Sequence, residues 1–309
     1  MGESEKALSP PGRGLGEGQS QATPPRTDPL PGPLPGGERE IRAALAAAAR
    51  GLADVSPTPR LDAELLIAHA LGITREALLL NHLDDPAPDA FAPLLARRLN
   101  HEPIAYITGR RAFWTIELAV GPGVLVPRAD SETLIEAAIE HFDARPPARI
   151  LDLGTGPGTL LLAALDHWPQ ATGLGVDASA QALDYARRNA RDLGMATRAD
   201  FRLGDWAAGI EGAFDLILAN PPYIGMHETL PREVRDHEPG AALFAGEDGL
   251  ADYRAIVPQL APLLAAGGAA ILEIGATQAD AVSHLLVAAG FAVTVRRDLA
   301  GHARALIAA

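Results

Sequence analysis

An α/β fold of the doubly wound kind, preceded by a small helical domain, is predicted by three features of the chain. Seven strand-like runs alternate with helical segments from residue 149 onward, at 149–154, 171–177, 199–204, 214–220, 269–275, 291–297 and 304–308. The first run enters a glycine-rich turn and then a helical stretch, the arrangement by which open parallel sheets build a ligand crevice. The last two runs are separated only by Asp298-Leu299-Ala300-Gly301, too short for a parallel crossover, so they are expected to pair antiparallel.

In chain order, residues 1–37 are read as a disordered tail. Ser9-Pro10-Pro11-Gly12 and Pro29-Leu30-Pro31-Gly32-Pro33-Leu34-Pro35-Gly36-Gly37 disfavour regular structure there. Apolar residues at helical spacing within 42–50, 60–80 and 90–99 predict a helical domain over 38–103. In it Leu61, Leu65, Leu66 and Ala68-His69 form a stripe assigned to the core, with His69 packing or capping and not binding metal. A linker read as a β-hairpin spans 104–126, and the α/β domain occupies 127–309.

Composition narrows the function classes. The 309 residues are 48% apolar, enough for two cores, and contain no cysteine, which excludes disulfides and thiolate metal sites. No metal centre is expected. A net charge of −13, from 39 acidic against 26 basic residues, disfavours a broad phosphate-binding surface, so no direct nucleic-acid partner is expected. The chain has neither a secretory signal pattern nor an apolar run of membrane-spanning length free of charges and prolines, and a cytoplasmic, monomeric protein without membrane contact is the expectation.

Asn220-Pro221-Pro222-Tyr223 directly follows the apolar run at 214–219. Its prolines fix φ and lack N–H groups, so the main-chain carbonyls point in set directions. The Asn220 amide adds an acceptor and two donors, and the Tyr223 ring a flat face. Together they suit a planar NH2 group; alone, the loop reads equally as a proline turn. Upstream, Gly154-Thr155-Gly156-Pro157-Gly158 lets a ligand approach the backbone near a helix start. The dinucleotide fingerprint is not met, because its last glycine position is Thr159. Asp177 ends the second strand, where an acid accepts bonds from ribose hydroxyls or else caps the helix near Ser179. Asp205-Trp206 follows the third strand. All four segments should meet at one crevice beyond the strand ends.

These motifs together resemble the class I S-adenosylmethionine-dependent methyltransferases, and more narrowly the HemK family of release-factor glutamine methyltransferases. Glu102-Pro103-Ile104-Ala105-Tyr106-Ile107-Thr108-Gly109 with Phe113 is similar to that family's interdomain pattern. Val124-Leu125-Val126-Pro127-Arg128, Glu238-Pro239 with Ala242-Leu243, Asp248-Gly249-Leu250 with Tyr253, and Glu273-Ile274-Gly275 with Gln278 continue the match from about residue 42 to the end. Two departures stand out: Ala129-Asp130-Ser131-Glu132 replaces Pro-Glu-Thr-Glu, and His101 replaces a glycine.

The resemblance implies S-adenosylmethionine as cofactor, with Gly154, Thr155, Gly156, Pro157 and Gly158 around its methionine part, Asp177 at the ribose, Asp205 and Trp206 at the adenine, and Asn220 close by. It implies the glutamine of a Gly-Gly-Gln motif in peptide chain release factors as acceptor. Asn220 and Pro221 would be catalytic, and Pro222 and Tyr223 would bind substrate with them. The helical domain would help hold the protein substrate. His101 and His237 take no catalytic role, and Asp152 and Glu273 are read as structural. The alternatives are a nucleic-acid exocyclic-amino methyltransferase, which offers the same planar NH2, and a non-catalytic module, which would lack Asn220 or an intact glycine turn.

Overall fold

The computed structural model describes residues 40–309, and the stretch 1–37 read as a disordered tail lies outside them. Helices α1 (Ile41–Gly51), α2 (Pro59–Leu71), α3 (Arg75–Asn81) and α4 (Phe91–Leu99) come first, followed by the short α5 (Ile104–Thr108). The continuous helical pattern over 60–80 is cut in two. Gly72 adopts φ +67° and ends α2, and the Thr74 hydroxyl accepts from Ala77 N to start α3.

The buried face of α2 also differs from the expected stripe. Leu66 and Ala68 are buried, Leu61 is exposed and Leu65 lies between, while Ala63 and Ile67 join the core. Asp62 and Glu64 share that buried side because cations reach them: Arg98 Nε lies 2.7 Å from Asp62, and Arg60 and Arg75 flank Glu64 at 2.6 and 2.8 Å. Ile41, Leu45, Leu66, Ile67, Leu78 and Phe91 pack together with Ile107. The neighbours of Ile107 on α5, Ala105 and Tyr106, belong instead to the core of the α/β domain, so this one turn of helix is shared by both cores.

Strands β1 (Arg110–Phe113) and β2 (Ile116–Ala119) form an antiparallel hairpin. Next come α6 (Glu132–His141), β3 (Arg149–Leu153), α7 (Thr159–His167), β4 (Thr172–Asp177), α8 (Ala180–Asp192), β5 (Ala199–Leu203) and β6 (Phe214–Ala219). The chain ends with α9 (Arg232–His237), α10 (Ala251–Leu260), β7 (Leu264–Glu273), α11 (Ala279–Ala288), β8 (Val293–Arg297) and β9 (Ala303–Ala308). The seven-stranded sheet has the order β5-β4-β3-β6-β7-β9-β8, parallel except where β9 pairs antiparallel with β7 and β8. This is the predicted doubly wound sheet with its terminal antiparallel hairpin.

Strand β7 begins five residues before its predicted start at 269. The strand runs through Gly267-Gly268, with an irregularity opposite 214–216. A side chain at Gly268 would meet Asp215 O at 2.8 Å, so the backbones approach closely there. Alternation along the strands splits the core between the two faces: Ile150, Leu216, Leu218 and Ile271 pack with α6 and α7, and Leu151, Leu153, Ile217 and Leu272 pack with Tyr253, Ile256 and Leu286 of α10 and α11.

Candidate active site

Strand order reverses between β3 and β6, and the carboxyl ends of these two strands flank the crevice expected at such a switch point. A cavity of about 480 Å³ opens there, of the size that holds a small ligand. Gly154, Thr155, Gly156, Pro157, Asp177, Asp205, Trp206, Asn220 and Pro222 line it. Gly158, Pro221 and Tyr223 do not.

The glycine turn is held from within. Gly154, Gly156 and Gly158 adopt φ of +72°, +57° and +87°, backbone that side chains disfavour. At Gly156 an added Cβ would meet nothing within 4 Å, so this backbone stands open, whereas at Gly158 it would strike Leu162 at 2.8 Å. Gly158 therefore serves the packing of the turn onto α7. Thr155 is buried and its hydroxyl donates to Asp152 Oδ2 at 2.6 Å, which also accepts from Leu161 N at 3.2 Å. Burial pushes the Asp152 carboxyl up to about 7, against these hydrogen bonds, and its Oδ1 has no partner among the described residues. Asn189 on α8 donates to Pro157 O at 2.8 Å and exchanges bonds with Ala119, which ties the hairpin to the turn.

Asp177 is not the helix cap; the Ser179 hydroxyl takes that role by accepting from Ala182 N. The Asp177 oxygens instead accept from Gly156 N and Ser179 N, both at 2.8 Å, and each keeps lone pairs for a ligand hydroxyl. Trp206 adopts φ +48°, and its indole lies 3.1 Å from where a Cβ on Gly154 would stand. The corner that carries it is better anchored than its Ala207-Ala208-Gly209 sequence suggests, since Ala207 and Ile210 enter the core. Asp252 faces the same wall. Burial, with the Asp205 charge second, raises its carboxyl.

The Asn220 loop is held from outside. Asn220 Nδ2 donates to Ser131 Oγ at 3.2 Å. Tyr223 turns away from the cavity: its hydroxyl lies 3.5 Å from Glu273 Oε1, and its carbonyl accepts from Gln278 Nε2 at 2.9 Å. Gln278 also donates to Gly249 O at 3.2 Å and accepts from Gly275 N at 3.0 Å. These bonds give roles to the Asp248-Gly249-Leu250 and Glu273-Ile274-Gly275 motifs. Burial pushes Tyr223 up to about 12, with the Glu273 charge second, and burial raises Glu273 to about 7. Glu238, also buried, accepts from Val126 N at 3.0 Å and from the Arg128 guanidinium.

Segment 224–238 is fastened to the helical domain. Arg98, 2% exposed, places Nη1 at 2.8 Å from Glu233 on α9, and His237 Nε2 lies 3.2 Å from Asn100 O. Ser131, Arg128 and Asp252 are lining residues that sequence reasoning gave no role. The quoted segments contained Arg128 and Ser131 and adjoined Asp252, but only folding brings them to the cavity.

Residues 43–109 match the PrmC N-terminal domain family, and residues 129–235 the methyltransferase small domain family. The release factor glutamine methyltransferase of Caulobacter vibrioides is 42% identical over 257 residues, covering 81% of this chain and 89% of its own. That of Rhodospirillum rubrum is 44% identical over 256 residues, covering 81% and 78%. That of Mycolicibacterium smegmatis is 42% identical over 271 residues, covering 85% and 95%. With this identity across both the helical and the α/β parts, the chain belongs to the release factor glutamine methyltransferase family.

Proposed function

We propose that the protein methylates the side-chain amide nitrogen, N5, of the glutamine in the Gly-Gly-Gln motif of peptide chain release factors, with S-adenosylmethionine as methyl donor. The observation that carries this reading is the Asn220 amide. Its Nδ2 is engaged by Ser131, while Oδ1 has no hydrogen bond among the described residues, at the wall where the glycine turn opens.

The cavity suits this cofactor by its own features: open backbone at Gly156, a carboxylate with spare lone pairs at Asp177, and an indole at Trp206. When bound, S-adenosylmethionine supplies a methyl group already activated on a sulfonium. The protein's task is then alignment. Asn220 Oδ1 and the Pro221 carbonyl accept the two hydrogens of the substrate NH2, which directs the nitrogen lone pair and stabilises the positive charge the nitrogen acquires. Each such bond contributes on the order of 3 kcal/mol to the barrier. No strong base is required, because the methylated amide nitrogen is acidic enough to shed its proton afterwards.

The helical domain, read as 38–103, helps hold the release factor, supported by its attachment through Arg98 and Glu233 to the segment that leaves the Asn220 loop. The remaining parts of the reading are a linker over 104–126, a catalytic domain over 127–309, a monomer, a cytoplasmic location and no direct nucleic-acid contact. The excess of 39 acidic over 26 basic residues supports the last point. No helix among the described residues is long and apolar enough to cross a membrane.

Incubation with labelled S-adenosylmethionine and purified release factor, beside a nucleic-acid control, tests the proposal. Mass spectrometry should place the label on the Gly-Gly-Gln glutamine. Label on the nucleic acid alone would overturn the assignment.

A further inference from the structure

A side-chain amide has two faces of opposite polarity, and only the oxygen face of Asn220 can accept a hydrogen from a substrate NH2. Something must therefore hold the amide against a half-turn. Ser131 Oγ, 3.2 Å from Asn220 Nδ2, is the contact that does so. A hydroxyl alone is ambiguous, because it can equally donate to Oδ1 of a turned amide.

The ambiguity disappears if the hydroxyl proton is committed elsewhere. Glu273 ends β7, its side chain and that of Ser131 are both buried, and Ser131 is close enough to this carboxyl to favour its ionised form. Around Glu273 stand the Tyr223 hydroxyl, Arg304 of β9 and Asp130 of the turn that carries Ser131. Glu273 Oε2 has no hydrogen-bond partner among the described residues, so above about pH 7, where the carboxyl is ionised, it has acceptor capacity to spare and no proton of its own to give.

We propose that Glu273 and Ser131 form a relay that sets the orientation of Asn220: Ser131 donates to Glu273, Asn220 Nδ2 donates to Ser131, and Asn220 Oδ1 is thereby left facing the substrate amide. Ser131 and Glu273 are positioning residues in this account and touch no reacting atom. The inference rests on the glutamine-methylation reading of the site. It gives a chemical role to Ser131, and a threonine in its place would offer the same hydroxyl.

The test compares Ser131→Ala, Ser131→Thr and Glu273→Gln with the wild type. For each we would measure single-turnover methylation of release factor, S-adenosylmethionine affinity by calorimetry, and melting temperature. Ser131→Ala should lose at least tenfold in the methyl-transfer rate, with cofactor affinity within about threefold of wild type. Ser131→Thr should restore the rate. Glu273→Gln should fall with Ser131→Ala, because its amide can donate to Ser131 and release the hydroxyl proton.

Wild-type rates in Ser131→Ala or Glu273→Gln would overturn the relay. So would equal losses in Ser131→Ala and Ser131→Thr, or a loss of cofactor affinity that accounts for the loss of rate. If Ser131→Ala does not fold, Ser131→Thr and Ser131→Val form a pair of matched shape that differs in the hydroxyl, and equal rates in that pair would overturn the relay. The wild-type control separates the two levels: no glutamine methylation by wild type defeats the functional reading, whereas normal wild-type activity with an unaffected variant defeats the relay alone.

Discussion

The glycine turn after β3 and the Asn220 loop after β6 stand on the two sides of one cavity, yet they are built differently. The turn is fixed mainly by residues near it in sequence: Asp152 and Thr155 beneath it, Leu161 on the helix it starts, Asp177 one strand away and Asn189 one helix further. The loop is fixed by residues far from it, with Ser131 preceding Asn220 by 89 positions and Gln278 following Tyr223 by 55. A turn of this kind is thus braced largely within one βαβα stretch. The Asn220 amide is oriented by the assembled fold.

The sharpest way to break the comparison is to remove the acceptor half alone. Asn220→Ala should cost at least about a hundredfold in turnover, or roughly 2.7 kcal/mol, because the lost bond strengthens in the transition state. Cofactor affinity should stay near wild type. Single-turnover methylation and calorimetric titration check the two halves separately, and equal losses in both would mean that the halves are not independent.

The reverse experiment is Asp177→Ala, which should weaken S-adenosylmethionine binding by about 1.5–3 kcal/mol, the worth of hydrogen bonds to a charged group. Sequence alone suggests a clean binding variant. The structure adds that Gly156 N and Ser179 N lose their acceptor, so melting temperature should fall as well. Unchanged affinity in a folded variant would remove Asp177 from the cofactor half.

This contrast explains what the sequence revealed. The sheet, its terminal hairpin and the glycine turn were legible because their signals are local: alternation, short turns, and glycines where φ is positive. Asp205, Trp206 and Asn220 were legible as strand-end residues. Ser131 and Asp252 were not, because a serine before a helix and an aspartate within one carry no local mark of the cavity they line. Tyr223 looked like a substrate platform, but the pull of Glu273 and the bond from Gln278 to its carbonyl set it as a loop anchor. The split of the 60–80 helix was written in Gly72, whose left-handed backbone overrode the apolar spacing around it.

Each half of the site also holds one buried acid, and their titration sharpens the comparison. Folding raises Asp152 from 3.8 and Glu273 from 4.5, each to about 7, mainly through burial. Between these limits the folded chain holds protons that the unfolded chain has released, so stability should fall as pH rises from about 4 to about 7, by up to about 1.4 kcal/mol per pH unit for each group. Asp152→Asn and Glu273→Gln should each flatten part of that fall in urea titrations across the window. A slope untouched by both substitutions would show that neither acid is protonated on folding. The two variants should then differ in function, with Asp152→Asn disturbing cofactor affinity and Glu273→Gln the rate.

The smallest effect belongs to a residue outside both halves. His101 adopts φ +63°, a left-handed backbone that favours glycine. Holding a side chain in left-handed backbone costs roughly 1–2 kcal/mol, while glycine gives back roughly 0.4–1 kcal/mol through the freer unfolded chain. His101→Gly should therefore stabilise the protein by roughly 0.5–1 kcal/mol, and His101→Ala, which keeps a Cβ, should not. Burial, with the charges of Arg232 and Arg98 behind it, holds the His101 imidazole below its ordinary 6.5. The unfolded chain thus takes up the proton first, and the histidine's contribution to stability declines as pH falls through about 6.5, so the advantage of glycine should widen on the acid side. Thermal melts at pH 8 and pH 5.5 measure both terms. Turnover and cofactor affinity at neutral pH should stay at wild-type values, because neither the glycine turn nor the Asn220 loop is braced through this residue; a change in either would mean that the linker backbone reaches into the site.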